Sequence, residues 1–180
     1  MAPVESDESR FNSGASSFQT AAAQRENTPW RNGQGRTEVV FATQDWRLSV
    51  ATVPPASEFS VCAGYDRTIV PIGAVALHLH GQSSEIHVVQ PLEIFEFPGE
   101  WAPMCRCDTQ TRAFNVMSRR GRTKSVVQIA EPGPAVISDE LQIFFAVDTE
   151  VAVVIPPNSE PGPLPPARYL RVSIRHVEDS

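Results

Sequence analysis

From Thr37 onward the chain alternates in character from one residue to the next, and no stretch sustains a helical period. The clearest run is Trp46–Val53, in which Trp46, Leu48 and Val50 alternate with Arg47, Ser49 and Ala51. A period of two places successive side chains on opposite faces of a strand. Shorter runs of the same kind recur at Glu38–Ala42, Arg67–Ile72, Ala74–His80, Glu85–Gln90, Phe95–Phe97, Phe114–Ser118 and Ser125–Ala130. Ala135–Ser138, Leu141–Val147, Val151–Ile155 and Tyr169–Val177 complete the set, while Met104–Thr111 fits no pattern cleanly. Between the runs stand Pro54-Pro55, Gly81, Pro98-Gly99, Gly121 and Pro132-Gly133-Pro134, residue types that end strands and form turns. Many short strands with regular turn punctuation predict an all-β sandwich or barrel.

A chain of 180 residues that is 41% hydrophobic can bury one sizeable core. Residues 1–27 stand apart, being rich in Ser, Ala, Glu and Asn with Phe11 and Phe18 isolated. That composition buries too little apolar surface to offset the entropy of ordering, so it predicts a disordered tail before a single domain over 28–178. Six prolines between Pro156 and Pro166 predict a stiff surface crossing there.

Several function classes are excluded by what the chain carries. A net charge of −6 argues against an extended nucleic-acid surface, which needs massed Lys and Arg. The longest apolar stretch, Ile69–Leu77, is too short for a membrane span and contains Pro71 and Gly73. The acidic N-terminal stretch has no apolar signal segment, so a soluble, cytoplasmic protein is expected. Cys62, Cys105 and Cys107 then read as reduced structural thiols. There is no Gly-x-Ser-x-Gly elbow and no phosphate-binding loop, and Gly33-x-Gly35 lacks the third glycine of a dinucleotide fingerprint. No cofactor is expected.

What remains is a set of arginines and amides. Lys124 is the only lysine, so the cationic chemistry is nearly all guanidinium. Arg47 and Ser49 share one strand face, and Asn115, Met117 and Arg119 share another, with Asp66-Arg67 at the start of a third strand. Turned into a barrel, such faces would bind a small carboxylate by charge-assisted hydrogen bonds. Alternation alone leaves open whether they line a cavity or meet solvent.

The polar turn Thr28-Pro29-Trp30-Arg31-Asn32-Gly33-Gln34-Gly35-Arg36-Thr37 marks the end of the tail, and it heads an ordered series of blocks. Asp45–Ala51, Phe59-Ser60, Gly64–Arg67, Pro91-Leu92, Phe95–Trp101 and Phe114–Gly121 follow. In this series the sequence resembles the HutD/Ves family. The resemblance implies a cupin-like, RmlC-type double-stranded β-helix with two cupin-like halves in one compact domain, a bicupin. It also implies a cytoplasmic role linked to histidine utilisation or stress, with an intermediate such as formimino- or formyl-glutamate as ligand. Carried onto the matching blocks, the site comprises Trp30, Asn32, Gly33, Arg47, Ser49, Asp66, Arg67, Asn115, Met117 and Arg119. Arg47 would pair with the carboxylate, Arg67 or Arg119 would be a second cation, and Trp30 and Met117 would wall the pocket. Cys62-Ala63 and the Pro-rich stretch depart from the usual family pattern.

The expected activity is therefore small-molecule binding without catalysis, with no metal and no nucleic-acid or membrane partner, and compatible with a homodimer. One alternative is a cupin enzyme. His78-x-His80 with Glu85 matches the spacing of cupin metal ligands, although a hairpin at Gly81–Ser84 would put both imidazoles at a sheet end. A metal-free isomerase would rely on Asp66. A third reading is an interaction protein working through its tail.

Overall fold

The computed structural model describes residues 8–12, 15–20, 25–30, 35–81, 84–131, 133 and 136–177. Its strands are β1 (Phe18–Thr20), β2 (Glu26–Pro29), β3 (Arg36–Ala42), β4 (Trp46–Val53), β5 (Ala56–Glu58), β6 (Tyr65–Pro71), β7 (Leu77–His80) and β8 (Ile86–Val89). They continue as β9 (Phe95–Pro98), β10 (Met104–Arg106), β11 (Thr111–Arg119), β12 (Thr123–Ala130), β13 (Leu141–Ala146), β14 (Ala152–Ile155) and β15 (Tyr169–His176). One short 3₁₀ turn at Glu8–Phe11 precedes them. The all-β class follows directly from the period-two runs.

Strands β4 to β11 close an eight-stranded jelly roll. One sheet has the order β4-β11-β6-β9 and the facing sheet β5-β10-β7-β8, so the chain crosses between the sheets as it winds. This is the double-stranded β-helix of the cupin type. Strands β2 and β3 widen the first sheet to six. A five-stranded sheet, β1-β14-β13-β15-β12, packs on its back. The two expected halves are thus both present and unequal: the first closes as a barrel, and the second contributes one sheet that shares the central one.

The central sheet is buried on both faces, and its alternation sorts the two cores. Leu48, Val50, Val70, Phe114 and Val116 meet Ile143, Phe145, Leu170 and Val172 of the five-stranded sheet. Ala51, Val53, Ile69 and Ala113 point the other way, into the barrel, towards Leu77, Leu79, Val89 and Cys105. Leu48, Val50, Val53, Val70, Leu77, Leu79 and Phe114 are fully buried, and each such side chain contributes about 1.5–3 kcal/mol. Cys105 and Cys107 are buried free thiols on the barrel's inner face, and burial pushes the Cys105 thiol up to about 12. The Pro-rich crossing is anchored through Leu164 and Ala167 on Phe144, Ala146 and Tyr169, and the Tyr169 hydroxyl donates to the Pro165 carbonyl.

The expectation of a disordered tail does not hold for its described residues. Strand β1 pairs antiparallel with β14, Phe18 opposite Val154. Phe11 is 8% exposed and packs edge-on to Phe41 at 5.6 Å and to Trp46 at 5.1 Å. The two isolated phenylalanines thus cap the end of the core between the central and five-stranded sheets, an attachment that average composition cannot register. Arg25, whose side chain is 1% exposed, lies 3.2 Å from Glu150. Arg112 of β11 bridges Glu38 of β3 at 2.7 Å and Glu150 at 2.6 Å, tying the two sheets together. Two smaller differences concern strands. The run expected at Ala135–Ser138 is irregular over 136–138, and β5 and β10 form where no alternation is visible.

Candidate functional site

The barrel holds a cavity of about 620 Å³ on the inward face of the central sheet. Its floor is set by strand register. Met117 of β11 lies opposite Arg47 of β4 on one side and Arg67 of β6 on the other. One step along, Asn115 lies between Ser49 and Ile69, and then Ala113 lies between Ala51 and Pro71. Strands are spaced about 4.8 Å apart, so the two arginine main chains stand about 10 Å apart across Met117. The floor therefore runs from cationic through polar to apolar.

Both guanidiniums are incompletely paired. Arg67 is 7% exposed, sits over the rings of Phe59 and Phe97 at 5.3 and 4.9 Å, and donates from Nη1 to the Ser60 carbonyl at 3.1 Å. Its Nε is buried with no partner, as is the Nε of Arg47. Arg47 Nη2 reaches only the Met117 sulfur, at 3.1 Å, a weak acceptor. Among the described residues neither arginine forms an ion pair. Burial pushes the Arg67 guanidinium below its ordinary value, and the charge of Arg47 adds in the same direction. A buried cation beside a half-buried one, with no counter-charge on either among the described residues, is costly, and an anion placed between them would relieve both.

One wall is Trp30. Its Nε1 donates to Thr37 Oγ1 at 2.9 Å, and its main-chain N–H donates to the Gly35 carbonyl at 2.8 Å. The indole lies flush on Gly35, where an added Cβ would stand 2.7 Å from Trp30 Cε3 and 2.8 Å from the Thr52 carbonyl oxygen. Only glycine lets the turn fold the ring over the cavity. Phe59, Ser60, Val61 and Cys62 form the opposite rim.

The structure thus brings together Trp30, Arg47, Ser49, Arg67, Asn115 and Met117. It leaves out two other candidates. Asp66 has the opposite parity to Arg67 and pairs at the surface with Arg120 at 2.9 Å. Arg119 shares parity with Met117, but it ends β11, where it is 3.6 Å from Asp45 and its side chain is 47% exposed. Asn32 and Gly33 lie outside the described residues. Phe59, Thr37 and Cys62 were missed, since the loop that carries the first and last has no periodic signal.

Around the rim, Arg120 donates to Glu100 at 3.1 Å and holds that carboxyl down at about 2. His78 and His80 alternate with the fully buried Leu77 and Leu79, so they sit on the barrel's outer face, away from the cavity. Glu85 instead pairs with His87 at 3.0 Å. Among the described residues, no three His, Cys, Asp or Glu side chains are grouped to hold a metal.

Comparison with known proteins places this geometry in a family. The HutD family model matches residues 22–177. Protein Ves of Citrobacter koseri is 30% identical over 110 residues, covering 57% of this chain and 58% of that protein. An uncharacterized 21.2 kDa protein from the hutC 3′ region of Pseudomonas putida is 30% identical over 136 residues, covering 69% of this chain and 70% of that one. HutD from Pseudomonas fluorescens SBW25, solved in a formate condition, superposes with a TM-score of 0.73 at 22% identity, over 91% of this chain and 100% of that one. That likeness shows a shared fold, and the family match spans barrel and five-stranded sheet alike. The chain belongs to the HutD family, a cupin-like group to which Ves is also similar.

Proposed function

We propose that this protein is a cytoplasmic, non-catalytic binding protein that holds a small carboxylate in the barrel cavity and acts in metabolic regulation. The observation that carries the reading is the pair of guanidiniums, buried Arg67 and half-buried Arg47, set across Met117 with buried, unpartnered Nε atoms and, among the described residues, no carboxylate on either. A ligand carboxylate would take the guanidinium forks, and the Ser49 hydroxyl and Asn115 amide would orient its polar remainder. Asn115 Nδ2 already donates to the Ala113 carbonyl at 3.1 Å, which leaves its amide oxygen as an acceptor. Trp30 and Phe59 would cover the apolar part. The relative in a hutC 3′ region and the HutD name support an intermediate of histidine breakdown as the carboxylate.

The test is a thermal-shift screen of the protein against histidine-breakdown intermediates, N-formylglutamate, glutarate and acetate. A ligand at 100 times its Kd stabilises by about 2.7 kcal/mol, so weak binders register at high concentration. Arg47→Ala should weaken binding by about 10- to 100-fold, the worth of one charged hydrogen-bond pair. An Arg47→Ala variant that keeps the full shift given by the parent would overturn the assignment.

A further inference from the structure

We propose that the Phe59–Gly64 segment is a rim of the cavity whose position is set by Arg120, a positioning residue that does not itself line the cavity. The link to ligand binding rests on the carboxylate reading above; the clasp itself does not.

The segment connects β5 to β6 and belongs to no strand, and Ser60, Val61 and Ala63 are exposed. Val61 is 62% exposed although it stands at the cavity mouth. The segment is held at two levels. From inside, Arg67 donates to the Ser60 carbonyl and lies over the Phe59 ring. A carboxylate that engages Arg67 therefore meets the group that already grips the rim. From outside, the grip comes from the turn that carries the chain from β11 to β12 in the next sheet. The Arg120 main-chain N–H donates to the Gly64 carbonyl at 2.8 Å, and its Nη2 donates to the Tyr65 carbonyl at 3.1 Å. Its guanidinium spans both oxygens of Glu100 and also reaches Asp66 Oδ1 at 3.0 Å. Glu100 completes the loop by accepting from the Gly64 N–H at 2.8 Å.

A lone surface ion pair contributes little, but here one guanidinium joins two carboxylates and a carbonyl while its main chain holds a second carbonyl. The backbone leaves no slack beneath it. The Cys62 N–H donates to the Gly99 carbonyl and the Gly99 N–H to the Tyr65 carbonyl, each at 2.7 Å. A Cβ on Gly99 would collide with the Cys62 carbonyl and stand 2.7 Å from that of Tyr65. Asp66, an expected ligand contact, serves instead as one jaw of the clasp.

Cys62 supplies a readout, because it is half-buried on the rim while Cys105 and Cys107 are buried in the barrel. Alkylation by iodoacetamide, followed per cysteine by mass spectrometry, compares the parent with Arg120→Ala, Glu100→Gln and the double variant. Cys62 should be labelled about fivefold faster in each single variant, and no faster in the double, with Cys105 and Cys107 unchanged. An unchanged Cys62 rate, or acceleration of all three thiols together, would overturn the clasp, the second because it reports general destabilisation. Glutarate at a concentration that shifts the parent Tm should slow Cys62 labelling in the parent. A Tm shift with an unchanged Cys62 rate would overturn the coupling between ligand and rim. Failure of glutarate and the rest of the panel to shift the Tm overturns the carboxylate reading alone, because the ligand-free rates still decide the clasp.

Discussion

Arg47 and Arg67 show how much a residue's role depends on what stands opposite it. In a half-exposed sheet the same two arginines would be surface charge. Here their rows meet at Met117, and the central sheet is covered on both faces, so the guanidiniums are confined with an incomplete set of partners. Gly35 makes the complementary point. Its importance lies in the missing Cβ, which lets the Trp30 indole close against the main chain. Gly35→Ala should therefore destabilise the protein by about 1–3 kcal/mol through overpacking, measured by urea denaturation, and should shift the tryptophan fluorescence as Trp30 is displaced. The polar turn around it was legible as unusual from composition. That Gly35 carries the close contact with the indole was not, because it depends on what a Cβ there would meet in three dimensions.

Among the elements, the strands with two different faces were the readable ones. Trp46–Val53 is a strand with the bounds its alternation gives, and β11 extends the Phe114–Ser118 run back to Thr111 and on to Arg119. The short strands β5 and β10 carry three residues each, too few for a period to be seen, and they exist because neighbouring strands offer them partners. The N-terminal segment failed as a prediction for a related reason. Its two phenylalanines are far apart in a polar context, yet Phe11 fills a position among Phe18, Phe41 and Trp46. Phe11→Ala should cost about 3 kcal/mol in urea denaturation, as for a buried aromatic truncation. Removal of residues 1–27 should likewise lower stability, since it takes away β1 and the buried Arg25.

At the scale of the molecule, three stacked sheets share one central layer, and its polar edge needs fastening. Arg112 does this by joining Glu38 to Glu150, while Arg25 lies beside the same two carboxylates. Arg112→Met leaves those carboxylates with too little positive charge and should cost about 3 kcal/mol at neutral pH, measured by urea denaturation. The sign with pH is fixed. Glu38 is held below the ordinary carboxylate value of 4.5, chiefly by its hydrogen bonds from Arg112. Its contribution is complete above that value and is lost as pH falls through the lowered one, so the gap between parent and variant should narrow in acid.

The sequence by itself determined the fold class and the family, because strand alternation, turn residues and ordered motif blocks are local properties that survive in one dimension. It also named guanidinium, amide and hydroxyl side chains that line the cavity. Tertiary structure alone decided which polar face was inside. Register set Arg47, Met117 and Arg67 in one row, while Asp66, one residue away, turned to the surface clasp and Arg119, the last residue of β11, pointed its side chain to Asp45 and solvent. Parity along a strand can be read from a sequence. The layer that covers a face, and the strand that lies beside it, are settled only when distant segments pack together.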